Sequence, residues 1–194
     1  MIAATPISDG ETFEKYGDLL KKMERAGGEE NVVTLDMLNE LGNKLGDNEE
    51  YEEAKEVYER CLAGRMEGLG EDHKDTLDTL NNLGVVYKNL GNYEKTLETY
   101  QRFLKGYEKL FGKNHPSTFE TVMNMAVIYD TGVKTYGKSL EMYQKVLEGY
   151  EAQFGKEHQH TKDCAWIMMV LLKKIENSKG LAELKEAHPN VENY

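Results

Sequence analysis

A chain of 194 residues with a net charge of −11, 30% charged side chains and a mean hydropathy of −0.68 has the length for one sizeable core or one extended array. Its 24 basic against 35 acidic side chains exclude a general nucleic-acid binder or a protein docked on an anionic bilayer, both of which need clustered cations. No apolar run reaches the roughly 20 residues of a membrane span.

Cys61 and Cys164 form no CxxC pair, and Met1–Gly10 has no basic segment ahead of a long apolar one. A reducing, cytoplasmic setting is therefore expected, with both thiols as small core residues. Three prolines among many Glu, Lys, Leu, Met and Ala predict helices, and no stretch alternates in the manner of a strand. The expected class is all-α.

In chain order, residues 1–10 read as a tail. Residues 11–27 follow, in which Tyr16, Leu20 and Glu24 precede Tyr58, Leu62 and Met66 by 42 residues; this segment reads as the second helix of a half repeat. Repeat 1 covers 28–69, repeat 2 covers 70–111 and repeat 3 covers 112–154. Residues 155–176 read as the first helix of repeat 4. Within residues 177–194, Gly180–Ala187 is expected as a short, degenerate second helix and His188–Tyr194 as a frayed tail.

The register rests on independent landmarks. Thr34, Thr76, Thr118 and Thr161 are 42, 42 and 43 residues apart, and Gly28, Gly70, Gly112 and Gly155 keep the same intervals. So do His73, His115 and His158, and the pairs Tyr58/Leu62, Tyr100/Leu104 and Tyr143/Leu147. A single-residue slip falls between Tyr129 and Tyr136. Each period predicts two helices. The first opens near Asp75-Thr76 and carries Leu77, Leu80, Leu83, Gly84 and Tyr87 on one stripe, ending at Gly91. The second starts at Tyr93 and turns Leu97, Tyr100, Phe103, Leu104, Tyr107 and Leu110 inward. The small residue at Gly42, Gly84 and Ala126 is expected to admit the opposing tyrosine. Gly84 costs a helix about 1 kcal/mol relative to Ala, which close packing must offset.

The run Thr79-Leu80-Asn81-Asn82-Leu83-Gly84-Val85-Val86-Tyr87, with Gly91-Asn92-Tyr93 and Leu110-Phe111-Gly112-Lys113-Asn114-His115-Pro116, resembles the tetratricopeptide pattern. It is similar to the long-repeat variety of kinesin light chains and of the sensor arrays of some multidomain NTPases. The resemblance covers roughly residues 11–176. It implies an α-solenoid, a right-handed superhelix of helix hairpins with a repeat of about 42 residues, whose first helices line a concave groove. Departures are Thr96 and Ser139 where Ala54 supplies the usual alanine, and a turn after Tyr129 without the Gly-Asn-Tyr signature.

The positions three before, two before and one after the small residue are those the resemblance turns to the groove. They are Asn39, Glu40 and Asn43; Asn81, Asn82 and Val85; Met123, Asn124 and Val127; and Trp166, Ile167 and Val170. Lys88 flanks them. Aligned carboxamides suit an extended peptide, since each can donate to and accept from a backbone. Trp166, the single tryptophan, is either an anchor for a partner or a cover over the end of the stack. Acidic Asp36, Glu40, Asp47, Asp78, Glu120 and Asp163 on or beside this face argue against acidic ligands and for a neutral or basic segment.

The expected function is a protein-protein interaction module and not an enzyme, with no catalytic residues, metal or cofactor. The alternative is a structural or regulatory segment of a larger protein that self-associates. Gly132–Ser139 spells the phosphate-loop pattern G-x-x-x-x-G-K-[ST], but it follows residues phased as helix where that loop needs a strand. His158, His160 and Cys164 lack a fourth zinc ligand, and the three periodic histidines are expected to hydrogen-bond at the turn before each first helix.

Overall fold

A computed structural model describes residues 32–191 together with Gly17. The tail at 1–10, the remainder of the half repeat at 11–27, Gly28 and residues 192–194 lie outside the described residues. Among the described residues there are eight α-helices and no strand: α1 (Val32–Asp47), α2 (Tyr51–Leu69), α3 (Lys74–Asn89), α4 (Tyr93–Phe111), α5 (Pro116–Val127), α6 (Tyr136–Phe154), α7 (Gln159–Lys174) and α8 (Ser178–Ala187). No described helix is long and apolar enough to cross a membrane. The chain divides into two compact units between Leu110 and Phe111.

The turn before each first helix is built on histidine. His73, His115 and His158 take extended backbone, and each Nδ1 accepts the amide two residues on, at 3.3, 3.2 and 3.3 Å. An imidazole thus satisfies one of the donors a helix start leaves without a partner. The cap is His73 and not Asp75-Thr76: Thr76 lies inside the helix and is buried, as are Thr34, Thr118 and Thr161. Phe111 and Phe154, at the ends of the preceding helices, lie against His115 and His158 at 5.2 and 4.6 Å between ring centroids. Gly70, Gly112 and Gly155 lead into these turns at φ of 91°, 85° and 82°.

Within each hairpin the turn uses another left-handed residue. Glu49, Gly91, Lys134 and Glu176 share one register and have φ of 64°, 72°, 56° and 56°. The amide after Glu49 reaches back to Leu45 O, that after Gly91 to Tyr87 O and that after Glu176 to Leu172 O, each at 2.9 Å and five residues back. In repeat 3 the bond runs from Thr135 to Tyr129 O at 2.7 Å, six residues back. The inserted residue is absorbed by a π-helical turn, Ile128–Gly132, at the end of α5. The missing Gly-Asn-Tyr signature therefore leaves the turn itself in place.

In the first unit, Leu35, Leu38, Leu41 and Leu45 of α1 pack with Ala54, Val57, Tyr58 and Cys61 of α2 and with Leu77, Leu80, Leu83 and Tyr87 of α3. The small residue does what its register predicts: a Cβ on Gly42 would lie 2.6 Å from the Tyr58 ring, and one on Gly84 2.5 Å from the Tyr100 ring. A second close approach went unread in the sequence. Gly106 meets Leu77 in the first unit and Gly149 meets Phe119 in the second, again one repeat apart. Leu110 is an exception to the predicted stripe and is 44% exposed.

In the second unit, Thr118, Phe119, Val122, Met125 and Ala126 of α5, Tyr143, Val146 and Leu147 of α6, and Cys164, Ala165, Met168 and Leu172 of α7 are buried. The hydroxyls that replace alanine find carbonyls: Thr96 Oγ1 donates to Asn92 O at 2.9 Å and Ser139 Oγ to Ala126 O at 2.8 Å. The short helix expected near Gly180 is α8, which buries only Leu184 of its own length. The frayed tail is corrected as far as Val191. His188 is buried with Nε2 2.7 Å from Glu151 Oε1, Asn190 donates to Glu157, and Val191 is 1% exposed. The His188–Glu151 contact and a buried valine hold the backbone that the polar sequence alone left loose.

Candidate functional site

Each first helix carries one face that the hairpin core does not use. Counted by register, α1 presents Asp36, Asn39, Glu40 and Asn43, and α3 presents Asp78, Asn81, Asn82 and Val85. In the second unit α5 presents Glu120, Met123, Asn124 and Val127, and α7 presents Asp163, Trp166, Ile167 and Val170. The spacing i, i+3, i+4, i+7 places each set on one side of its helix. From α1 to α7 the carboxamides give way to hydrocarbon, while the first position of every set keeps a carboxylate.

In the first unit this face is bound together internally. Asn43 Oδ1 accepts from Tyr58 Oη at 2.6 Å and from Asn82 Nδ2 at 3.2 Å, so α1 and α3 are joined by side chains. The Asn43 amide nitrogen and the Asn82 oxygen take no part in these two bonds. Asn39 and Asn81 are half-buried, and the Asn39 oxygen is buried with no hydrogen bond from the described residues. Glu40 is exposed; Val85 and Lys88 are half-buried.

Asp36 is not free to read a ligand. Arg65, 5% exposed on α2, puts Nη2 2.6 Å from Asp36 Oδ1, while Nη1 donates to Asp75 O at 2.9 Å and to Thr79 Oγ1 at 2.8 Å. A buried guanidinium needs this full set of acceptors. It ties α1, α2 and α3 together. Its register equivalents are Tyr107 and Tyr150, so the signal in the sequence was a charged residue at a position otherwise held by a ring. Asp78 is likewise engaged, by Lys74 at 2.5 Å.

In the second unit the face is apolar and open. Trp166 is 48% exposed, Val170 44% and Val127 41%, with Met123, Asn124 and Ile167 half-buried. Cys164 Sγ lies 3.9 Å from Met123 Sδ, so α5 and α7 touch along this side. A concavity of about 360 Å³ lies against Lys162, Asp163, Trp166 and Ile167. α8 lies against Leu172 of α7 at Gly180, and Trp166 is exposed.

The remaining motifs have structural duties. Ser139, the last residue of the phosphate-loop pattern, is buried on the Ala126 carbonyl, and Lys138 Nζ lies 5.3 Å from the Tyr129 ring centre. Cys164 is buried, its thiol pushed up to about 12 by burial, and it faces Tyr143 O, not a histidine. His158 spends Nδ1 on the helix cap. Among the described residues no three His, Cys, Asp or Glu side chains are grouped to hold a metal.

Residues 33–88 and 75–152 match the tetratricopeptide repeat family, which is more than half of the chain. The chain belongs to the tetratricopeptide repeat family. No curated protein matches the sequence. Among solved structures the tetratricopeptide array resembles BtubC (BKLC) from P. vanneervenii, with a TM-score of 0.74 at 14% identity over 95% of this chain and 74% of that one. It also resembles the nearly identical TPR-like repeats of a Podosopora anserina protein described as a kinesin light chain, with a TM-score of 0.72 at 16% identity over 96% and 97% of the two chains. The apo form of RapI superposes with a TM-score of 0.70 at 13% identity, over 95% and 65%. At such identities the likeness shows the fold: an all-α, kinesin light chain-like tetratricopeptide solenoid.

Proposed function

We propose that the first-helix faces bind a peptide or protein segment, and that the chain works as an interaction scaffold without catalysis of its own. The observation that carries this reading is the set of in-register side chains that hairpin packing leaves over: Asn39, Glu40, Asn43, Asn81, Asn82 and Val85 with Lys88 in the first unit, and Met123, Asn124, Val127, Trp166 and Val170 in the second. A half-buried carboxamide reads peptide backbone whatever the side chains, and exposed aromatic and aliphatic groups supply anchors. A net charge of −11 favours neutral or basic segments and steers their encounter. Two buried thiols, Cys61 and Cys164, suit a reducing compartment such as the cytoplasm.

Affinity capture with the full chain tests this, using Asn82→Ala and Asn124→Ala as controls. Partners should be retained by the wild type and lost or weakened at least several-fold by each substitution, with thermal unfolding unchanged in Asn124→Ala and lowered only slightly in Asn82→Ala, which gives up its bond to Asn43. Partners held equally by both variants would remove these faces from the reading. A defined oligomer in light scattering, dissolved by the same substitutions, would replace a foreign partner with a second copy of the chain.

A further inference from the structure

The face of the second unit differs from that of the first in both polarity and charge compensation. In the first unit Asp36 is paired with Arg65 and Asp78 with Lys74, while Glu40 is exposed with no ion pair among the described residues. In the second unit the register equivalents of Asp36 and Asp78 have no cationic partner among the described residues. Glu120 is exposed and forms no ion pair among the described residues, and Asp163 is exposed and accepts only from the neutral Gln159 amide, at 2.7 Å. The neighbouring cation, Lys162, pairs with Glu157 at 2.9 Å and also lines the concavity beside Trp166. Asp163 thus stands one helical turn before the exposed Trp166 on α7, and Glu120 holds the same register on α5.

Building on the peptide-binding reading, we propose that the α5–α7 face is a specificity subsite for a protein segment that pairs an aromatic or branched aliphatic side chain with an adjacent Lys or Arg. The apolar side chain seats against Trp166 and Val170, in the concavity beside Ile167. The cation lies between Glu120 and Asp163. Hydrocarbon flanked by unpaired negative charge selects against an acidic segment, because desolvating a carboxylate beside two others has no compensation. It also selects against a purely apolar segment, which leaves the electrostatic attraction unused.

Trp166 is the single tryptophan, so its emission reports the subsite directly. The full chain is titrated with three blocked decapeptides of one Leu-Phe core, flanked by lysines, by glutamines or by glutamates. The lysine peptide is expected to shift Trp166 emission and to bind at least about tenfold more tightly than the glutamate peptide at low salt, the gap closing as salt rises. Glu120→Gln with Asp163→Asn should abolish the preference for lysine while keeping apolar binding. Trp166→Ala, followed by calorimetry, should lower the affinity about tenfold or more. Equal binding of the three peptides, or binding that weakens in Asn82→Ala but not in Trp166→Ala, overturns the subsite and leaves the general peptide-binding reading standing. Absence of binding by all three peptides overturns both. Emission that changes with protein concentration alone assigns the face to a second copy and overturns the proposal.

Discussion

Glu49, Lys134 and Glu176 hold left-handed backbone where Gly91 does so with a residue suited to it. A side chain at such a φ costs about 1–2 kcal/mol, and these turns carry it because the amide beyond each residue must reach back and close the helix end. Each of Glu49→Gly, Lys134→Gly and Glu176→Gly is therefore expected to raise stability by roughly 0.5–1 kcal/mol, the relief being partly offset by the freedom glycine gains when unfolded. Urea unfolding of the three single variants measures it. No gain in any of them would mean the turns are not strained. Cys164 carries a pH dependence of the same residue-level kind. Its thiol is pushed from an ordinary 9.0 up to about 12 by burial. Below pH 9 both states hold the proton and the thiol contributes no slope. Between 9 and 12 the unfolded chain releases the proton while the native chain keeps it, so the unfolding free energy falls with rising pH, by at most about 1.4 kcal/mol per pH unit. Melting curves from pH 8 to 11 should show a steeper loss in the wild type than in Cys164→Ala.

Between elements, stability rests on glycine meeting a ring. α1 and α3 each give up a side chain, at Gly42 and Gly84, so that Tyr58 and Tyr100 can lie against bare backbone. Adding one methyl at Gly84 gains about 1 kcal/mol of helix propensity. It also drives a Cβ to within 2.5 Å of a ring that is fully buried and has nowhere to move. Overpacking of this kind costs typically 1–3 kcal/mol, so Gly84→Ala is expected to destabilise by up to about 2 kcal/mol net. Calorimetric melting decides it, with Gly46→Ala, which meets nothing within 4 Å, as the control that should be neutral or stabilising. Elements are legible in the sequence where spacing alone decides them. The hairpin helices, the helix stop at Gly91 and the role of the small residues were all legible. The hydrogen bond expected of the histidines at this turn is present, but the cap is His73 itself and not Asp75-Thr76, an imidazole not being among the usual N-cap side chains. The π turn was legible only as a slip in count, since one inserted residue fixes a length and not which helix end will widen to take it.

For the whole molecule, the sequence by itself determined the class and the period. A spacing of 42 or 43 residues, written independently in Thr, Gly, His and Tyr, is repeated at every turn of the chain and needs no knowledge of contacts. The candidate binding face was legible to the same extent, as positions counted from the small residue. Which of those positions remain available was decided only by tertiary structure. Asp36 and Asp163 are the same residue in the same register, yet one is held by a buried arginine 29 residues away and the other accepts from a neutral glutamine in its own helix. Asn43 and Asn82 read alike as carboxamides, yet the oxygen of the first is taken up by Tyr58 and by the second. The physical reason is that periodicity fixes where a side chain points. Its charge compensation and hydrogen bonding are set by whichever side chains the neighbouring helices bring within about 3 Å, and those differ from one repeat to the next.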